Sequence, residues 1–175
     1  MNERALWTSA EIAAAVNGKA GRRFNADGVS IDSRKVERGD LFVALHGPNF
    51  DGNDFVAGAL SAGASGALVD RLPGGMAADM PVVVVKDTLQ ALQALGGAAR
   101  ARSHARIAAV TGSVGKTSTK EALKAALGAF GHAYASQGNL NNHWGAPLSL
   151  ARMPRDAEFG VFELGMNHAN EITPL

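Results

Sequence analysis

Residues 107–118, with the sequence IAAVTGSVGKTS, form the stretch that decides the fold of this chain. Ile107–Val110 is a short apolar run that predicts a strand, and Lys116–Phe130 has the pattern of a helix that Gly131 can end. Between them, Thr111–Gly115 is a turn that contains two glycines. A strand, a glycine-containing turn and a helix in this order are the context in which phosphate-binding loops occur.

The backbone and side chains of this loop would supply what a bound triphosphate needs. Gly112 and Gly115 allow successive backbone N–H groups to converge on phosphate oxygens, and the start of the helix adds a partial positive charge. Lys116 adds a full charge near the β- and γ-phosphates, and the Thr117 hydroxyl is placed to coordinate Mg²⁺. We therefore predict ATP and Mg²⁺ as cofactors. The predicted ATP-binding residues are Gly112, Ser113, Val114, Gly115, Lys116, Thr117 and Ser118.

The loop departs from the general phosphate-loop pattern, which has a glycine where this chain has Val110. Its form is T-G-x-x-G-K-T-S. The alternative interpretation is that Gly112 and Gly115 only shape a turn between a strand and a helix. The lysine, the paired hydroxyls and the flanking elements favour phosphate binding.

Phe159–Leu164 predicts a second buried strand, which carries Glu163 near its end. Because the carboxyl ends of parallel strands meet at one edge of a sheet, Glu163 would lie beside the phosphate loop and hold Mg²⁺ there. Lys116 and Glu163 are therefore the candidate catalytic residues, and Thr117 and Glu163 are the candidate metal ligands. The alternative for Glu163 is a surface carboxylate at the end of a strand.

The stretch Gln137–Pro147 is rich in side-chain amides and is interpreted as a polar loop. It lies between the predicted strands Ile107–Val110 and Phe159–Leu164. Side-chain amides both donate and accept hydrogen bonds, which suits nucleotide and peptide recognition, but they also build turns without any ligand. Asn139 and Asn142 in this stretch, and His168 on the loop that leaves the strand carrying Glu163, are the candidate substrate or nucleotide contacts. A structural role is an equal alternative for each.

The first hundred residues alternate short apolar runs with helical patterns, which is typical of an α/β architecture with parallel strands. Thr8 and Glu11 have the spacing of a capping box, at the start of a short helix that Asn17-Gly18 would end. We predict a small N-terminal α/β domain, residues 1–103, and the start of a P-loop-type parallel-sheet domain, residues 104–175. The other predictions are strands at Val29–Ile31, Leu41–Leu45, Ala67–Val69, Val82–Val85 and Tyr134–Ser136, a loop at His46–Asn53, and helices from about Asp54 to Ala62 and from Thr88 toward Ser103.

The composition excludes several classes of protein. The 175 residues are 46% hydrophobic and 19% charged with a net charge of +1, which favours a globular protein without a nucleic-acid or membrane partner. The absence of cysteine excludes disulfides, thiolate catalysis and cysteine-ligated zinc. No signal-peptide pattern occurs at the N-terminus, so we expect a cytoplasmic protein, and we expect a monomer.

Taken together, these segments resemble the Mur ligases of peptidoglycan synthesis. Within the family, the resemblance is greatest to ligases that add D-alanyl-D-alanine to a UDP-N-acetylmuramoyl tripeptide. The phosphate loop without its first glycine is typical of the family. The segments that carry the resemblance are residues 29–34 (VSIDSR), 39–45 (GDLFVAL), 47–55, 111–118 with Lys120-Glu121, 138–150, and 161–172 (VFELGMNHANEI).

The resemblance implies ATP-driven amide-bond formation through an acyl phosphate, with UDP-N-acetylmuramoyl-tripeptide and D-alanyl-D-alanine as substrates. It assigns the N-terminal domain to UDP-substrate binding, with Ser30 and Asp32 bracing the loop that contacts UDP. In this family the ATPase domain continues beyond the point that corresponds to residue 175 and a third domain follows. We therefore expect the chain alone not to ligate. The implied UDP contacts are Ser33, Arg34, Asn49 and Phe50.

Three alternatives remain open at this point. One is another Mur-type ligase with a different amine substrate, or a folylpolyglutamate synthase, although the UDP-type segment disfavours the latter. Another is a P-loop nucleoside triphosphatase or kinase that is not a ligase. The third, which is not an enzyme, is a nucleotide-sugar binding module with a degenerate ATP loop.

Overall fold

The computed structural model of the chain describes residues 5–72, 74, 79–138 and 140–165. The chain divides into two compact units, Met1–Leu95 and Gly96–Leu175. The division falls inside one continuous helix, Thr88–Arg102, whose last residue precedes the domain boundary predicted at residues 103 and 104. Among the helices of the described residues, none combines the length and apolar character needed to cross a membrane.

The first unit is built around a sheet of five strands. Its elements, in chain order, are β1 (Trp7–Thr8), α1 (Ser9–Val16), β2 (Lys19–Ala20), β3 (Asn25–Ala26), β4 (Gly28–Ser30), a 3₁₀ helix (Ser33–Lys35), β5 (Asp40–Val43), β6 (His46–Gly47), β7 (Phe50–Asp51), a 3₁₀ helix (Gly52–Phe55), α2 (Val56–Ser61), β8 (Gly66–Val69) and β9 (Val82–Val84), and α3 (Thr88–Arg102) begins here. The strand order is β2-β9-β8-β5-β4. Strands β9, β8, β5 and β4 run parallel, and β2 is an antiparallel edge strand. The predicted parallel α/β architecture is confirmed.

Helix α1 begins where the sequence predicts, because the capping box forms. The Thr8 side chain accepts a hydrogen bond from the Glu11 backbone N–H at 3.2 Å, and the Glu11 carboxylate accepts one from the Thr8 N–H at 2.9 Å. The helix ends at Asn17, whose φ of 50° lies in the left-handed region that asparagine tolerates better than most residues. Each end of the helix is therefore fixed by local chemistry.

One cluster in the core of the first unit lies between the sheet and α2. All four residues of β5 and of β8 are buried, as expected for parallel strands covered on both faces. The 0%-exposed Val56 and Ala59 of α2 pack with Phe42 of β5 in one cluster. The continuous apolar runs seen in the sequence correspond to these doubly covered strands.

The second unit is a three-stranded parallel sheet with two helices. Its elements are β10 (Arg106–Val110), α4 (Lys116–Gly128), β11 (Ala133–Ala135), α5 (Gly145–Ala151) and β12 (Phe159–Glu163). Strand β12, the last in the described residues, lies between β10 and β11 and is parallel to both. The register places Val110 opposite Glu163. The strand that precedes the phosphate loop and the strand that ends in Glu163 are therefore neighbours.

Three details differ from the predictions. The predicted loop His46–Asn53 is wrong, because β6 and β7 pair as an antiparallel hairpin and a 3₁₀ helix follows. Because that 3₁₀ helix occupies residues 52–55, α2 begins at Val56, and the start predicted at Asp54 is two residues early.

The third difference concerns the predicted loop Gln137–Pro147, which ends earlier because α5 begins at Gly145. Pro147 is compatible with this first turn, since the N–H that proline lacks would have no helical partner there. The Asn142 side chain accepts hydrogen bonds from the N–H groups of Trp144 and Gly145, at 3.1 and 2.9 Å, and so orders the entry into α5.

Candidate functional site

The loop between β10 and α4 has a backbone that only glycine adopts without strain. Gly112 has φ of 148° and Gly115 has φ of 77°, both in the region that side chains disfavour. Gly115 is the residue before α4, and no side chain caps the helix there. The first-turn N–H groups of α4 therefore face the loop without a capping side chain, which is the arrangement that binds anions.

Lys116 lies over this loop. Its ammonium donates a hydrogen bond to the Gly112 carbonyl at 2.7 Å, across the turn that the loop makes. The tip of the loop at Val114 is 89% exposed. A positive charge, a row of backbone N–H groups and access from solvent are thus combined at the start of one helix, as phosphate binding requires.

Thr117 and Glu163 meet at the carboxyl ends of β10 and β12. The Thr117 hydroxyl donates a hydrogen bond of 2.8 Å to Glu163 Oε2. The Asn141 amide donates one of 2.9 Å to Glu163 Oε1, so both carboxylate oxygens are engaged. Glu163 is only 3% exposed. The alternative of a surface carboxylate at a strand end is therefore wrong for Glu163.

The environment of Glu163 keeps its carboxylate ionised. Burial raises the pKa, but hydrogen bonds from Asn141 and Thr117 and the charges of Lys120 and Lys116 outweigh burial, so the pKa lies below its ordinary value. The result is a buried negative charge held next to the phosphate loop.

The donor set at this position suits Mg²⁺. A threonine hydroxyl and a carboxylate are hard oxygen ligands, and Mg²⁺ typically uses one or two protein ligands with phosphate oxygens and waters. The 2.8 Å hydrogen bond already brings Thr117 Oγ1 and Glu163 Oε2 together, so that one cation would contact both oxygens. Within the described ranges, no cluster of three or more His, Asp or Glu could hold a metal.

Three residues at this site are absent from the candidates derived from sequence. Asn141 contacts the Glu163 carboxylate, Ser136 accepts a hydrogen bond from the Glu163 backbone N–H at 3.0 Å, and Lys120 donates to the Ser136 carbonyl at 2.7 Å. The amide-rich stretch 137–147 contains Asn141 as one of several side-chain amides, and the sequence does not distinguish Asn141 from the others. Lys120 is part of a segment that carries the family resemblance, but its helical pattern alone does not distinguish it from a solvated lysine.

Of the other candidates near this site, Asn142 orders the start of α5 through its side chain, and its predicted ligand contact stays a prediction. Asn139 and His168 lie outside the described residues.

The candidate UDP contacts lie in the first unit, at the carboxyl edge of its sheet. Ser33 and Arg34 are in the 3₁₀ helix that follows β4. Asp32 accepts two hydrogen bonds from the Arg34 guanidinium, at 2.9 and 2.8 Å, and the Arg34 side chain is 85% exposed. The guanidinium side-chain hydrogen bond lowers the pKa of Asp32 to about 2. Ser30 Oγ donates to the Asp32 carbonyl at 3.1 Å, so Ser30 and Asp32 contact one another at the loop they were expected to brace.

Asn49 and Phe50 lie in the β6–β7 hairpin, which follows β5, the parallel neighbour of β4. The hairpin is tied to the end of β8 by a 2.7 Å hydrogen bond between His46 and Asp70 and by an ion pair between Arg71 and Asp51. The Phe50 ring is exposed at the hairpin. Both pairs of candidates thus follow the carboxyl ends of adjacent strands, where open α/β sheets bind ligands.

Comparison with known proteins matches both units to one family. The Mur ligase middle domain matches residues 110–175, and the Mur ligase family, catalytic domain, matches residues 25–100. The UDP-N-acetylmuramoyl-tripeptide–D-alanyl-D-alanine ligase of Rickettsia prowazekii is 40% identical over 97% of this chain and 37% of its own length.

Solved structures agree with the sequence comparison. MurF from Acinetobacter baumannii is similar with a TM-score of 0.80 at 35% identity, over 96% of this chain and 38% of that chain. MurF ligase from Thermotoga maritima, in complex with ADP, is similar with a TM-score of 0.65 at 30% identity, over 84% of this chain and 34% of that chain.

The chain spans 37% of the length of the Rickettsia relative. The match at residues 25–100 ends inside α3, and the match at residues 110–175 begins after α3. The loop at Gly112–Gly115 and the Thr117–Glu163 contact fall within the match to the middle domain. On these matches, the chain belongs to the Mur ligase family and carries its N-terminal and middle domains.

Proposed function

We propose that this chain is part of a ligase that uses ATP to join D-alanyl-D-alanine to UDP-N-acetylmuramoyl-tripeptide. The observation that carries the proposal is the phosphate loop at the start of α4, placed against the buried carboxylate of Glu163. The substrates are those named for the Rickettsia relative, which is 40% identical. The proposal includes action in the cytoplasm as a monomer, without a membrane or nucleic-acid partner.

Residues 104–175 would hold the nucleotide. The N–H groups at 112–118 and the Lys116 ammonium would bind the phosphates, with Lys116 leaving the Gly112 carbonyl to do so. Thr117 and Glu163 would hold Mg²⁺, which offsets the negative charge that develops on the transferring phosphoryl group. The described residues suit this role because their oxygens already lie together.

The reaction needs little covalent chemistry from the protein. A carboxylate oxygen of the tripeptide attacks the γ-phosphorus, the bond to the β-phosphate oxygen breaks, and ADP leaves. The dipeptide amine then attacks the carbonyl carbon of the acyl phosphate, loses a proton, and releases phosphate. The contribution of Lys116 is to stabilise the charge on the phosphoryl group in the first step, and positioning supplies the rest.

Residues 1–103 would hold the UDP end of the substrate. Arg34 is exposed and fixed by Asp32, which suits a guanidinium that binds a diphosphate. Ser33 and Asn49 offer hydrogen-bonding groups, and the exposed ring of Phe50 offers a face on which a base could stack. These four residues stay proposed contacts.

The test uses the complete polypeptide that carries this chain. ADP release should require both UDP-N-acetylmuramoyl-tripeptide and D-alanyl-D-alanine, and mass spectrometry should detect the UDP-linked pentapeptide. ADP release that needs neither substrate would indicate a nucleoside triphosphatase instead. Release with a different amine would indicate another Mur-type ligase. Binding of UDP without any binding of Mg·ATP would indicate a nucleotide-sugar module.

A further inference from the structure

Lys120 is a fully buried lysine that the proposed reaction does not use. It lies on α4 one turn after Lys116 and is 0% exposed. Lysine is almost never fully buried unless its ammonium is paired, because desolvating the charge is costly. Within the described part of the chain, the buried charged residues are Asp40, Lys120 and Glu163, and two of the three lie at this site. The position of Lys120 therefore calls for a specific partner.

The partners of Lys120 are backbone carbonyls of the segment that follows β11. Its Nζ donates to the Ser136 carbonyl at 2.7 Å and to the Gly138 carbonyl at 3.4 Å. It also contacts Glu121 at 3.2 Å, but the Glu121 side chain is 57% exposed, so solvent screens this pair. The strongest effect of the buried ammonium is thus to fix the chain at residues 136–138.

Two hydrogen bonds to Glu163 come from the same segment. Ser136 Oγ accepts one from the Glu163 backbone N–H at 3.0 Å, and Asn141 donates one to the carboxylate at 2.9 Å. A further hydrogen bond, from Thr117, comes from α4 directly. Lys120 therefore connects α4 to Glu163 through the backbone of the intervening segment.

We propose that Lys120 is a positioning residue that fixes residues 136–138, so that Ser136 holds the backbone of Glu163, and Asn141 its carboxylate, where the metal needs them. This inference rests on the proposed function, in which Glu163 holds Mg²⁺ beside the triphosphate. Groups that orient metal ligands typically change metal affinity or activity about 10–100-fold when removed. Lys120 acts through Ser136 and Asn141.

The test compares Lys120→Met with Lys124→Met in the complete polypeptide. Methionine keeps much of the length of the buried side chain and removes only the charge and the donors. Lys124 lies one turn further along α4 and is exposed, so it is a matched control for the same change in the same helix.

The first readout is hydrogen exchange, by mass spectrometry, of peptides that contain Glu163. In Lys120→Met, exchange at the Glu163 amide should be about tenfold faster, since its acceptor Ser136 is no longer fixed. Lys124→Met should exchange as the wild-type protein does. This readout needs neither substrate nor activity, so it decides the positioning role even if the proposed ligation fails.

The second readout is the Mg²⁺ concentration that gives half-maximal ligation at saturating ATP. It should rise about 10–100-fold in Lys120→Met, while KM for the UDP substrate stays within about twofold. A lysine that only stabilised the fold would not change the Mg²⁺ dependence selectively.

Ser136→Ala keeps the test decisive if Lys120→Met does not fold. It removes the link from the segment to the Glu163 N–H and leaves the carbonyls bound by Lys120 in place. It should produce the same faster exchange at Glu163 and the same shift in Mg²⁺ dependence. Folded variants with wild-type exchange at Glu163 and wild-type Mg²⁺ dependence would overturn the proposal.

Discussion

The Thr117 hydroxyl lies 2.8 Å from Glu163 Oε2, although 46 positions separate the two residues in the chain. The contact exists because β12 enters the sheet beside β10, with Glu163 opposite Val110. Thr117 is placed by the loop that leaves β10, and Glu163 by the end of β12. Thr117 Oγ1 and Glu163 Oε2 therefore lie together at the edge of the sheet where the phosphate loop begins.

Replacing Glu163 with glutamine tests this contact. The amide keeps the size and can still accept from Thr117, but it loses the charge that would bind Mg²⁺. We expect ligation by the complete polypeptide to fall about 10²–10³-fold, the usual loss for a group that stabilises charge in the transition state. Steady-state rates at several Mg²⁺ concentrations measure this. Wild-type rates in a folded Glu163→Gln would remove Glu163 from the metal site.

The backbone of the phosphate loop makes a separate prediction for stability. Gly115→Ala should destabilise the protein by about 1 kcal/mol, because φ of 77° is strained for alanine although no atom lies within 4 Å of the added Cβ. Gly128→Ala is the matched control, since its Cβ also meets nothing within 4 Å but the residue is helical. It should stabilise by about 0.5 kcal/mol. Urea unfolding distinguishes them, and equal effects would contradict the prediction.

Asp32 predicts a dependence of stability on pH. Its pKa is lowered to about 2 by the side-chain hydrogen bond from Arg34, below the ordinary value of 3.8. A folded-state pKa below the unfolded one adds stability that is complete above about pH 4 and is lost as the pH falls through about 2. The melting temperature of the wild-type protein should exceed that of Asp32→Asn at pH 6, and the difference should shrink toward pH 2.

The control for this prediction is Asp79→Asn, a change at an exposed carboxylate of the same unit. It should shift the melting temperature by less than Asp32→Asn at pH 6. A difference between wild type and Asp32→Asn that stays constant from pH 6 to pH 2 would mean that the ion pair with Arg34 does not contribute.

Much of the second unit could be predicted from local pattern. Each of its three strands was predicted within one residue at both ends, because short apolar runs between polar segments indicate strands. The placement of Glu163 beside the phosphate loop followed from the parallel pairing of these strands. The start of α1 could also be predicted from local chemistry, because Thr8 and Glu11 have the spacing of a capping box.

The features that escaped prediction depend on tertiary contacts. The hairpin at His46–Asp51 forms from two-residue strands that are too short for an alternating pattern, and it is held by Asp70 and Arg71, about twenty residues away. Lys120 has the helical pattern of a surface lysine, and its burial is explained by the carbonyls of Ser136 and Gly138, 16 and 18 positions away. Such partners cannot be read from periodicity.

We propose that Lys116 and the loop at 112–118 bind the triphosphate from which the ligase transfers a phosphoryl group. Measuring ADP release with both substrates, in the wild-type complete polypeptide and in Lys116→Ala, tests it most directly. We predict a loss of about 10²–10³-fold, with weaker binding of Mg·ATP, for the variant. Undiminished ADP release and ATP affinity in a folded Lys116→Ala would contradict the claim.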